Sequence, residues 1–222
     1  MAVRKFIQKL QPIIYPVIQW YFKKPRWITK RGIRIKLAPS VFHPSLYHST
    51  DVMLDFIISK SLSNRKVLEL GCGSGFISMY LAEKTNAQVY ASDINFHAVA
   101  ALRGNLKQAN LSIEVFHSDL FQNLPDIHFD VILINPPYYF ANPVTPDQYA
   151  FYVGKDGNYF ARLFEGLIPY LENGTMVVLV VSEDVELRIM SAFSLPHGIH
   201  LIEKLRRRCW GEDFIIYQAA MA

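Results

Sequence analysis

The chain has 222 residues, of which 51% are hydrophobic, so it can form one domain of ordinary size plus an appendage, and disorder over most of its length is excluded. Its two cysteines, Cys72 and Cys209, form no metal or redox pattern, so we expect reduced thiols, no metal site and a cytoplasmic location. The net charge of +4 conceals an asymmetry, because residues 1–50 contain ten Lys or Arg and no Asp or Glu. The basic character therefore belongs to the N-terminal segment.

Residues 1–24 are aromatic and basic, and Pro12 and Pro16 should break them into short helices. The longest uncharged stretch there, residues 10–22, has thirteen residues and contains both prolines. A membrane span needs about twenty apolar residues, so we expect none. No small-residue cleavage site follows, which argues against secretion, while contact with a membrane surface stays open as a minor alternative.

Residues 27–37 alternate apolar and polar side chains around Gly32, which predicts a β-hairpin. We therefore divide the chain into a basic aromatic extension, residues 1–40, and a main domain, residues 41–222. A helix is expected to start with Ser49 or Thr50 as N-cap and to run to about Ser61.

Two histidines precede this helix. His43 and His48 have no third potential ligand at metal-like spacing, so they are interpreted as loop or packing residues.

From residue 66 onward the chain alternates strands and helices, which predicts a parallel sheet with helices on both faces. Strands are expected at about 66–70, 88–92, 113–116, 130–134, 175–181, 199–206 and 212–219. Helices are expected at about 75–84, 96–109, 156–171 and 183–194. The last two strands are joined by a short segment and should form an antiparallel hairpin.

The first βα turn is rich in glycine. After the apolar run 67–70, Gly71, Gly73 and Gly75 allow positive φ and close approach of a ligand to the backbone. The spacing matches neither the dinucleotide fingerprint nor a P-loop. Glu69 before the turn suits a cationic or polyhydroxyl ligand better than a pyrophosphate.

Carboxylates follow the next two predicted strands, where ligands bind in open α/β sheets. Asp93 is placed to accept hydrogen bonds from both hydroxyls of a ribose, and Asn95 can cap the following helix in its place. Asp119 can accept from an exocyclic amine of adenine, although turn chemistry alone would also favour an Asp there.

The sequence Asn135-Pro136-Pro137-Tyr138 follows the fourth strand of the series. Its prolines stiffen the turn, so the Asn135 side chain and the Pro136 carbonyl can present two oxygen acceptors in one orientation. Such a pair can hold a planar NH₂ group, and Tyr138 offers a ring on which that group can stack. We therefore predict Asn135, Pro136 and Tyr138 as the catalytic residues.

These motifs resemble the class I S-adenosylmethionine-dependent methyltransferases, and within them the NPPY-bearing release-factor glutamine N5-methyltransferases and N6-adenine methyltransferases. The resemblance covers about residues 40–220. It implies an α/β fold with a Rossmann-like seven-stranded sheet, helices on both faces and an antiparallel last strand. It also implies S-adenosyl-L-methionine as cofactor. The expected cofactor-binding residues are Glu69, Gly71, Cys72, Gly73, Gly75, Asp93, Ile94, Asp119, Leu120 and Asn135, with Thr50 either near the cofactor or capping its helix.

Two shorter segments carry the same resemblance. Residues 41–44 with Ser49 and Thr50 are similar to the loop before the first motif of the glutamine methyltransferases, and Gly154-Lys155-Asp156-Gly157 resembles their glycine-containing segment. The extension of about forty residues is shorter than the helical domain of the bacterial release-factor enzymes. In this the chain looks more like the compact eukaryotic and archaeal enzymes, which implies a small partner subunit.

The leading hypothesis is an N-methyltransferase acting on a protein glutamine side chain. A nucleic-acid methyltransferase acting on adenine N6 or guanine N2 is the alternative, supported by the basic N-terminal segment and by Arg206-Arg207-Arg208. A non-catalytic cofactor-binding subunit is a third, weaker hypothesis, because a scaffold has no need of the NPPY turn.

Overall fold

The fold is seen in a computed structural model that describes residues 25–39, 48–144, 146–183, 185 and 187–221. The helices expected within residues 1–24, the segment 41–44 and His43 lie outside these residues. Within them, none of the helices is long and apolar enough to cross a bilayer.

The strands are β1 (Arg26–Lys30), β2 (Ile33–Leu37), β3 (Lys66–Leu70), β4 (Gln88–Asp93), β5 (Glu114–His117), β6 (Val131–Ile134), β7 (Met176–Ser182), β8 (Ile199–Cys209) and β9 (Glu212–Met221). The α-helices are α1 (Ser49–Ile58), α2 (Phe76–Lys84), α3 (Phe96–Ala109), α4 (Asn158–Glu172) and α5 (Leu187–Ser194). Short 3₁₀ helices cover Pro146–Ala150 and Leu195–His197.

The central sheet has seven strands in the order β5-β4-β3-β6-β7-β9-β8. The pairs from β5 to β7 are parallel, and β9 pairs antiparallel with both β7 and β8. The predicted seven-stranded sheet with an antiparallel last strand is therefore confirmed. The chain order reverses between β3 and β6, which places the switch point, where such sheets bind ligands, at the carboxyl ends of these two strands.

The core lies on both faces of the sheet, because successive strand residues point to opposite sides. On one face, Val67, Val131 and Val178 pack with α1, α2 and α3. On the other, Leu68 and Ile132 pack with α4 and α5. All four residues of β6 are buried, as expected for a parallel strand covered on both faces.

The predicted hairpin is confirmed, with β1 and β2 antiparallel and joined by Arg31 and Gly32. One face of β2 is buried, since Ile33, Ile35 and Leu37 join the core that contains α2 and α3. The hairpin therefore extends the hydrophobic core outside the sheet.

Ion pairs fasten this hairpin to the main domain. Arg31 pairs with Asp51 and Asp55 of α1, at 3.1 and 2.5 Å, and Lys30 pairs with Asp51 at 2.8 Å. Arg207 of β8 reaches Asp55 at 2.5 Å. These carboxylates thus connect three elements that are distant in sequence, and the bonds to Arg31 and Arg207 hold the pKa of Asp55 below its ordinary value despite partial burial.

Two helix boundaries differ from the predictions. The structure begins α1 at Ser49, with His48 as the preceding residue and no capping side chain, so neither Ser49 nor Thr50 is the N-cap. The Ser49 hydroxyl contacts Asn135 instead, and α1 ends at Ile58, before Ser61. Helix α5 begins at Leu187, later than residue 183.

Candidate active site

A cavity of about 580 Å³ lies at the carboxyl ends of β3, β4 and β6. Strand β3 pairs with β6 so that Leu70 lies opposite Ile134, and the next residues, Gly71 and Asn135, begin adjacent loops. The glycine turn and the NPPY turn therefore share one cavity. The predicted residues that line it are Thr50, Glu69, Gly71, Cys72, Gly73, Asp93, Ile94, Asp119, Leu120, Asn135, Pro136 and Tyr138.

The glycine turn is fixed by hydrogen bonds to β4. The backbone N–H groups of Gly71 and Cys72 both donate to the Ser92 carbonyl, each over 2.8 Å. A Cβ added at Gly71 would meet no atom within 4 Å, so this glycine leaves open space on the cavity side. Gly75 does not line the cavity. It precedes α2 with φ +73°, and a Cβ there would lie 2.3 Å from Leu102 Cδ1, so it permits close packing of α2 against α3.

Glu69 is buried at the end of β3 and uses one oxygen for helix α2. Its Oε2 accepts the Ser78 backbone N–H over 2.9 Å and also the Ser78 hydroxyl. Burial raises the pKa of Glu69 to about 7, against the opposing effect of these bonds, and the nearby Asp93 raises it further. The carboxylate therefore holds the start of α2 in register with the turn.

Asp93 ends β4 and bridges two backbone segments. Its Oδ2 accepts from the Gly73 N–H over 2.7 Å, and its Oδ1 accepts from the Asn95 N–H over 2.8 Å. Burial raises the pKa of Asp93, while the two backbone bonds oppose this rise. Asn95 is the N-cap of α3, since its side chain accepts from the His97 N–H over 2.9 Å. Each Asp93 oxygen keeps further acceptor capacity toward the cavity.

The next loop carries Asp119 and Leu120. Asp119 Oδ2 accepts from Arg162 of α4 over 2.8 Å. Leu120 has φ +51°, and its carbonyl accepts from the Ser118 hydroxyl over 2.8 Å, which keeps the loop folded against the cavity. The Ile94 carbonyl lies 2.9 Å from His117 Nε2. The adenine role predicted for Asp119 stays a prediction.

Asn135 is held from both ends of its amide. Its Nδ2 donates to Ser49 Oγ over 3.2 Å, and its Oδ1 accepts from the Tyr138 hydroxyl over 2.7 Å. The Tyr138 hydroxyl also lies 3.5 Å from the Val180 carbonyl of β7. Ser49 is 1% exposed, and both prolines of the turn are buried. The amide plane is therefore fixed, and Oδ1 has a second lone pair available.

A second wall of the cavity comes from the segment after the NPPY turn. The Tyr138 and Tyr139 N–H groups donate to the Phe151 carbonyl over 3.1 and 2.8 Å, and the Val153 N–H donates back to the Tyr139 carbonyl over 2.9 Å. Gly154 and Gly157 have φ +84° and +70°, so the segment 154–157 turns sharply into α4. This turn leaves Tyr159 facing the cavity, and desolvation raises the pKa of its hydroxyl.

The β8–β9 hairpin contributes another part of the cavity wall. Glu212 and Phe214 of β9 line the cavity together with His48. The His48 ring stacks on Trp210 at a centroid distance of 6.0 Å and meets Phe214 edge-on at 6.4 Å. His48 is therefore a packing residue that also faces the cavity.

The sequence reasoning missed several residues that line the cavity, among them Phe151, Tyr159, Arg162, Glu212 and Phe214. It also missed the contact between Ser49 and Asn135. Ser49 had drawn attention only as a helix cap. The position of Arg162 four residues into an amphipathic helix gave no sign that it faces Asp119, since that contact depends on how α4 lies against the sheet.

Residues 32–150 match the family model described as the methyltransferase small domain. A relative from Methanocaldococcus jannaschii, whose name assigns it provisionally to the protein N5-glutamine methyltransferases, is 36% identical over 159 residues. That alignment covers 68% of this chain and 77% of the relative. The ribosomal RNA small subunit methyltransferase C of Haemophilus influenzae is 35% identical over 113 residues, which are 50% of this chain and 33% of the relative.

Among solved structures, the Mtq2–Trm112 complex of E. cuniculi, responsible for methylation of the eRF1 translation termination factor, has a similar fold. The TM-score is 0.61 with 22% sequence identity, covering 82% of this chain and 99% of that one. At this identity the similarity concerns the fold alone.

Proposed function

The chain belongs to the methyltransferase small domain family and is an S-adenosylmethionine-dependent methyltransferase, and from this premise we propose that it methylates the side-chain amide nitrogen of a protein glutamine. The observation that carries the proposal is the doubly held Asn135 amide at the end of β6, beside the glycine turn.

The residues of the cavity fit the cofactor. The open space beside Gly71, the Gly73 turn and the bridging carboxylate of Asp93 would hold an adenosine-type ligand. Asp93 would accept from a ribose, and Asp119 would accept from an adenine amine. Ile94, Leu120 and Cys72 line the same part of the cavity and would make further contacts with this ligand. When bound, S-adenosylmethionine supplies an electrophilic methyl group on a sulfonium.

The acceptor amide is placed by the NPPY turn. A primary amide has two N–H donors and a delocalised lone pair, so it is a poor nucleophile until it is oriented. Asn135 Oδ1 and the Pro136 carbonyl accept the two N–H bonds, and the Tyr138 ring packs against the amide plane. Held in this way, the amide nitrogen would present its lone pair to the methyl group that the cofactor would supply.

Charge developing on the nitrogen is stabilised by these two oxygens, so no strong base is needed before transfer. The proton leaves the methylated nitrogen for water afterwards. The buried carboxylates of Glu69 and Asp93 hold backbone N–H groups, which suits a structural part in this scheme.

Charge supports a protein acceptor over a nucleic acid. Glu69, Asp93 and Asp119 already have structural or cofactor roles in this scheme, so the acidic lining residue that can face an acceptor is Glu212. In the described β8 strand, Arg206 pairs with Glu203 at 2.7 Å and Arg207 pairs with Asp55. Two of the three arginines that could track phosphates are thus engaged with carboxylates.

The names of the two relatives point to different acceptors, which are protein glutamine for one and ribosomal RNA for the other. The higher coverage of the archaeal relative favours the first. The Mtq2–Trm112 neighbour supports the further proposal that this chain works with a small partner subunit. A mass measurement of the purified native protein, showing either the 25.5 kDa chain alone or a larger complex, tests that proposal.

The acceptor is tested by incubating the protein with methyl-labelled S-adenosylmethionine and a whole-cell extract, followed by protease or nuclease. We expect the label in a protease-sensitive polymer, released on hydrolysis as N5-methylglutamine. Label in a nuclease-sensitive polymer would establish the nucleic-acid alternative instead.

The non-catalytic alternative is tested with Asn135→Ala. We expect this variant to lose transfer while calorimetry shows unchanged cofactor binding. Asn173→Ala is the matched control, because this exposed residue bonds only within its own helix end, to the Pro169 carbonyl.

A further inference from the structure

Trp210 lies at the tip of the β8–β9 hairpin in an unusual environment for a large aromatic residue. Its side chain is 92% exposed, and its backbone has φ +52°. Gly211 follows with φ +89°, so the two residues form a two-residue turn in which both have positive φ.

This turn type favours Asn or Asp at its first position, because those side chains tolerate positive φ and contact water well. A tryptophan is unfavourable on both counts, since it carries bulk into a left-handed conformation and exposes a large apolar surface. The conformation of the turn therefore gives no reason for Trp210 at this position, and tryptophan is enriched among the residues that contribute most to protein interfaces.

The position of Trp210 links it to the active site. Its ring stacks on His48 with an interplanar angle of 18°, and His48 lines the cavity. Glu212, two residues further along, lines the same cavity. The ring thus continues the cavity wall outward onto the surface.

We propose that Trp210 and His48, together called the Trp210 platform, bind the acceptor polypeptide beside the glutamine that enters the cavity. The proposal rests on the proposed function and names the surface that recognises the acceptor. A glutamine side chain alone offers little binding area, so the flanking chain must supply most of the affinity. A flat exposed ring gives a large contact area with little loss of side-chain freedom.

Local charge favours a polypeptide as the occupant of this platform. Glu212 follows the turn directly and lines the cavity, whereas Asp213 lies 3.9 Å from Arg206 and is balanced by it. The Glu212 carboxylate is therefore the charge that an occupant of the platform meets beside the cavity. A carboxylate at this position repels a phosphate backbone, whereas it attracts backbone N–H groups or cationic side chains of a peptide. An exposed tryptophan ring also attracts cations over its face.

The test uses the protease-sensitive acceptor identified by labelling, and a peptide containing its methylated glutamine. Trp210→Asn replaces the ring with the residue that the turn prefers, so the fold should be kept. We expect the KM for the acceptor to rise roughly tenfold, with kcat at saturating acceptor and cofactor affinity unchanged. Trp210→Phe should recover most of the loss.

A control variant and a binding measurement complete the experiment. Ile202→Ala removes a 43% exposed apolar side chain from strand β8 of the same hairpin, outside the cavity lining, and should leave the KM unchanged. Fluorescence of Trp210, taken as the difference between the wild type and Trp210→Phe, should change when the peptide is added.

The outcomes separate the two proposals. An acceptor KM that is equal in wild type and Trp210→Asn overturns the Trp210 platform while the proposed function stands. Label found only in a nuclease-sensitive polymer overturns the proposed function, and with it the assignment of this surface to a polypeptide.

Discussion

The Asn135 amide is anchored by Ser49, whose hydroxyl oxygen accepts from Nδ2 over 3.2 Å although the two residues are 86 positions apart. Because the Tyr138 hydroxyl holds the other end of the amide, Ser49 and Tyr138 together set which atom of Asn135 faces the acceptor. Ser49 belongs to α1, so the orientation of the reactive turn depends on how this helix docks against the sheet.

Ser49→Ala should lower kcat about fivefold, since the loss of one buried hydrogen bond, worth about 1 kcal/mol, lets the amide rotate. Cofactor affinity should not change, because no cofactor contact is removed. Ser59→Ala is the control, as its hydroxyl donates to the Phe56 carbonyl at the exposed end of the same helix. Steady-state kinetics with calorimetry would contradict this account if cofactor binding fell and kcat did not.

Replacement of Tyr138 should separate the functions of its hydroxyl and its ring. Tyr138→Phe removes the bond to Asn135 Oδ1 and keeps the stacking surface, so kcat should fall only about threefold to tenfold. Tyr138→Ala removes both and should reduce kcat/KM by about a hundredfold or more. Equal kinetics for the two variants would show that the ring has no part in placing the acceptor.

Asp93→Asn should weaken cofactor binding, because an amide cannot accept from both the Gly73 and the Asn95 N–H groups. One of these two backbone N–H groups would face the NH₂ group of the new Asn side chain, and its loop would shift. Calorimetry should show that Kd rises roughly tenfold to hundredfold, which is a loss of about 1.4 to 3 kcal/mol of binding free energy. The exposed Asp126→Asn serves as control, and a Kd within twofold of the wild type for both variants would remove Asp93 from the site.

Glu69 should make stability depend on pH. Its pKa is raised in the folded state to about 7 from an ordinary value of 4.5. The folded protein therefore binds more protons than the unfolded chain between these values, so the free energy of unfolding should fall as pH rises through that window. The full effect is about 3 kcal/mol.

Glu69→Gln keeps an acceptor for the Ser78 N–H and removes the titration. Chemical denaturation at both pH 5 and pH 8 measures the free energy of unfolding of the two proteins. The value for the variant, relative to that of the wild type, should be higher at pH 8 than at pH 5. Parallel pH profiles for the two proteins would mean that the Glu69 pKa is not raised.

Gly75→Ala should destabilise the fold by about 2 to 4 kcal/mol, because φ is +73° and the new Cβ would lie 2.3 Å from Leu102 Cδ1. Gly104→Ala is the matched control, since a Cβ there meets no atom within 4 Å and Gly104 lies within α3. That change should stabilise the protein by about 0.5 to 1 kcal/mol. Thermal or denaturant unfolding of both variants, with Gly75→Ala in a Leu102→Ala background as a rescue, tests the packing argument.

Much of the fold could be predicted from the sequence because its strands are continuous apolar runs, as in Val131 to Ile134, and its turns carry glycine at the required positions. The grouping of Asp93, Asp119 and Asn135 followed from one rule, that loops after parallel strands meet at the same edge of the sheet. Their binding roles remain predictions.

What could not be predicted depends on side-chain contacts between distant segments. The Ser49 hydroxyl was expected to cap its helix, and it contacts Asn135 because of how α1 docks on the sheet, beside β7 and β9. Likewise, a charged residue such as Arg207 gives no sign in sequence that its partner is Asp55. Local patterns do not contain the packing angles that decide such pairs.

The burial of Ile33 and Ile35, on the inner face of the β1–β2 hairpin, limits how far the protein can be shortened from its N-terminal side. A shortened protein starting near residue 41 would expose apolar side chains of α2 and α3 that the hairpin covers. It would also remove Arg31, the partner of two carboxylates of α1. The exposed apolar surface would promote aggregation. Fragments made for crystallisation or NMR should therefore start no later than Arg26.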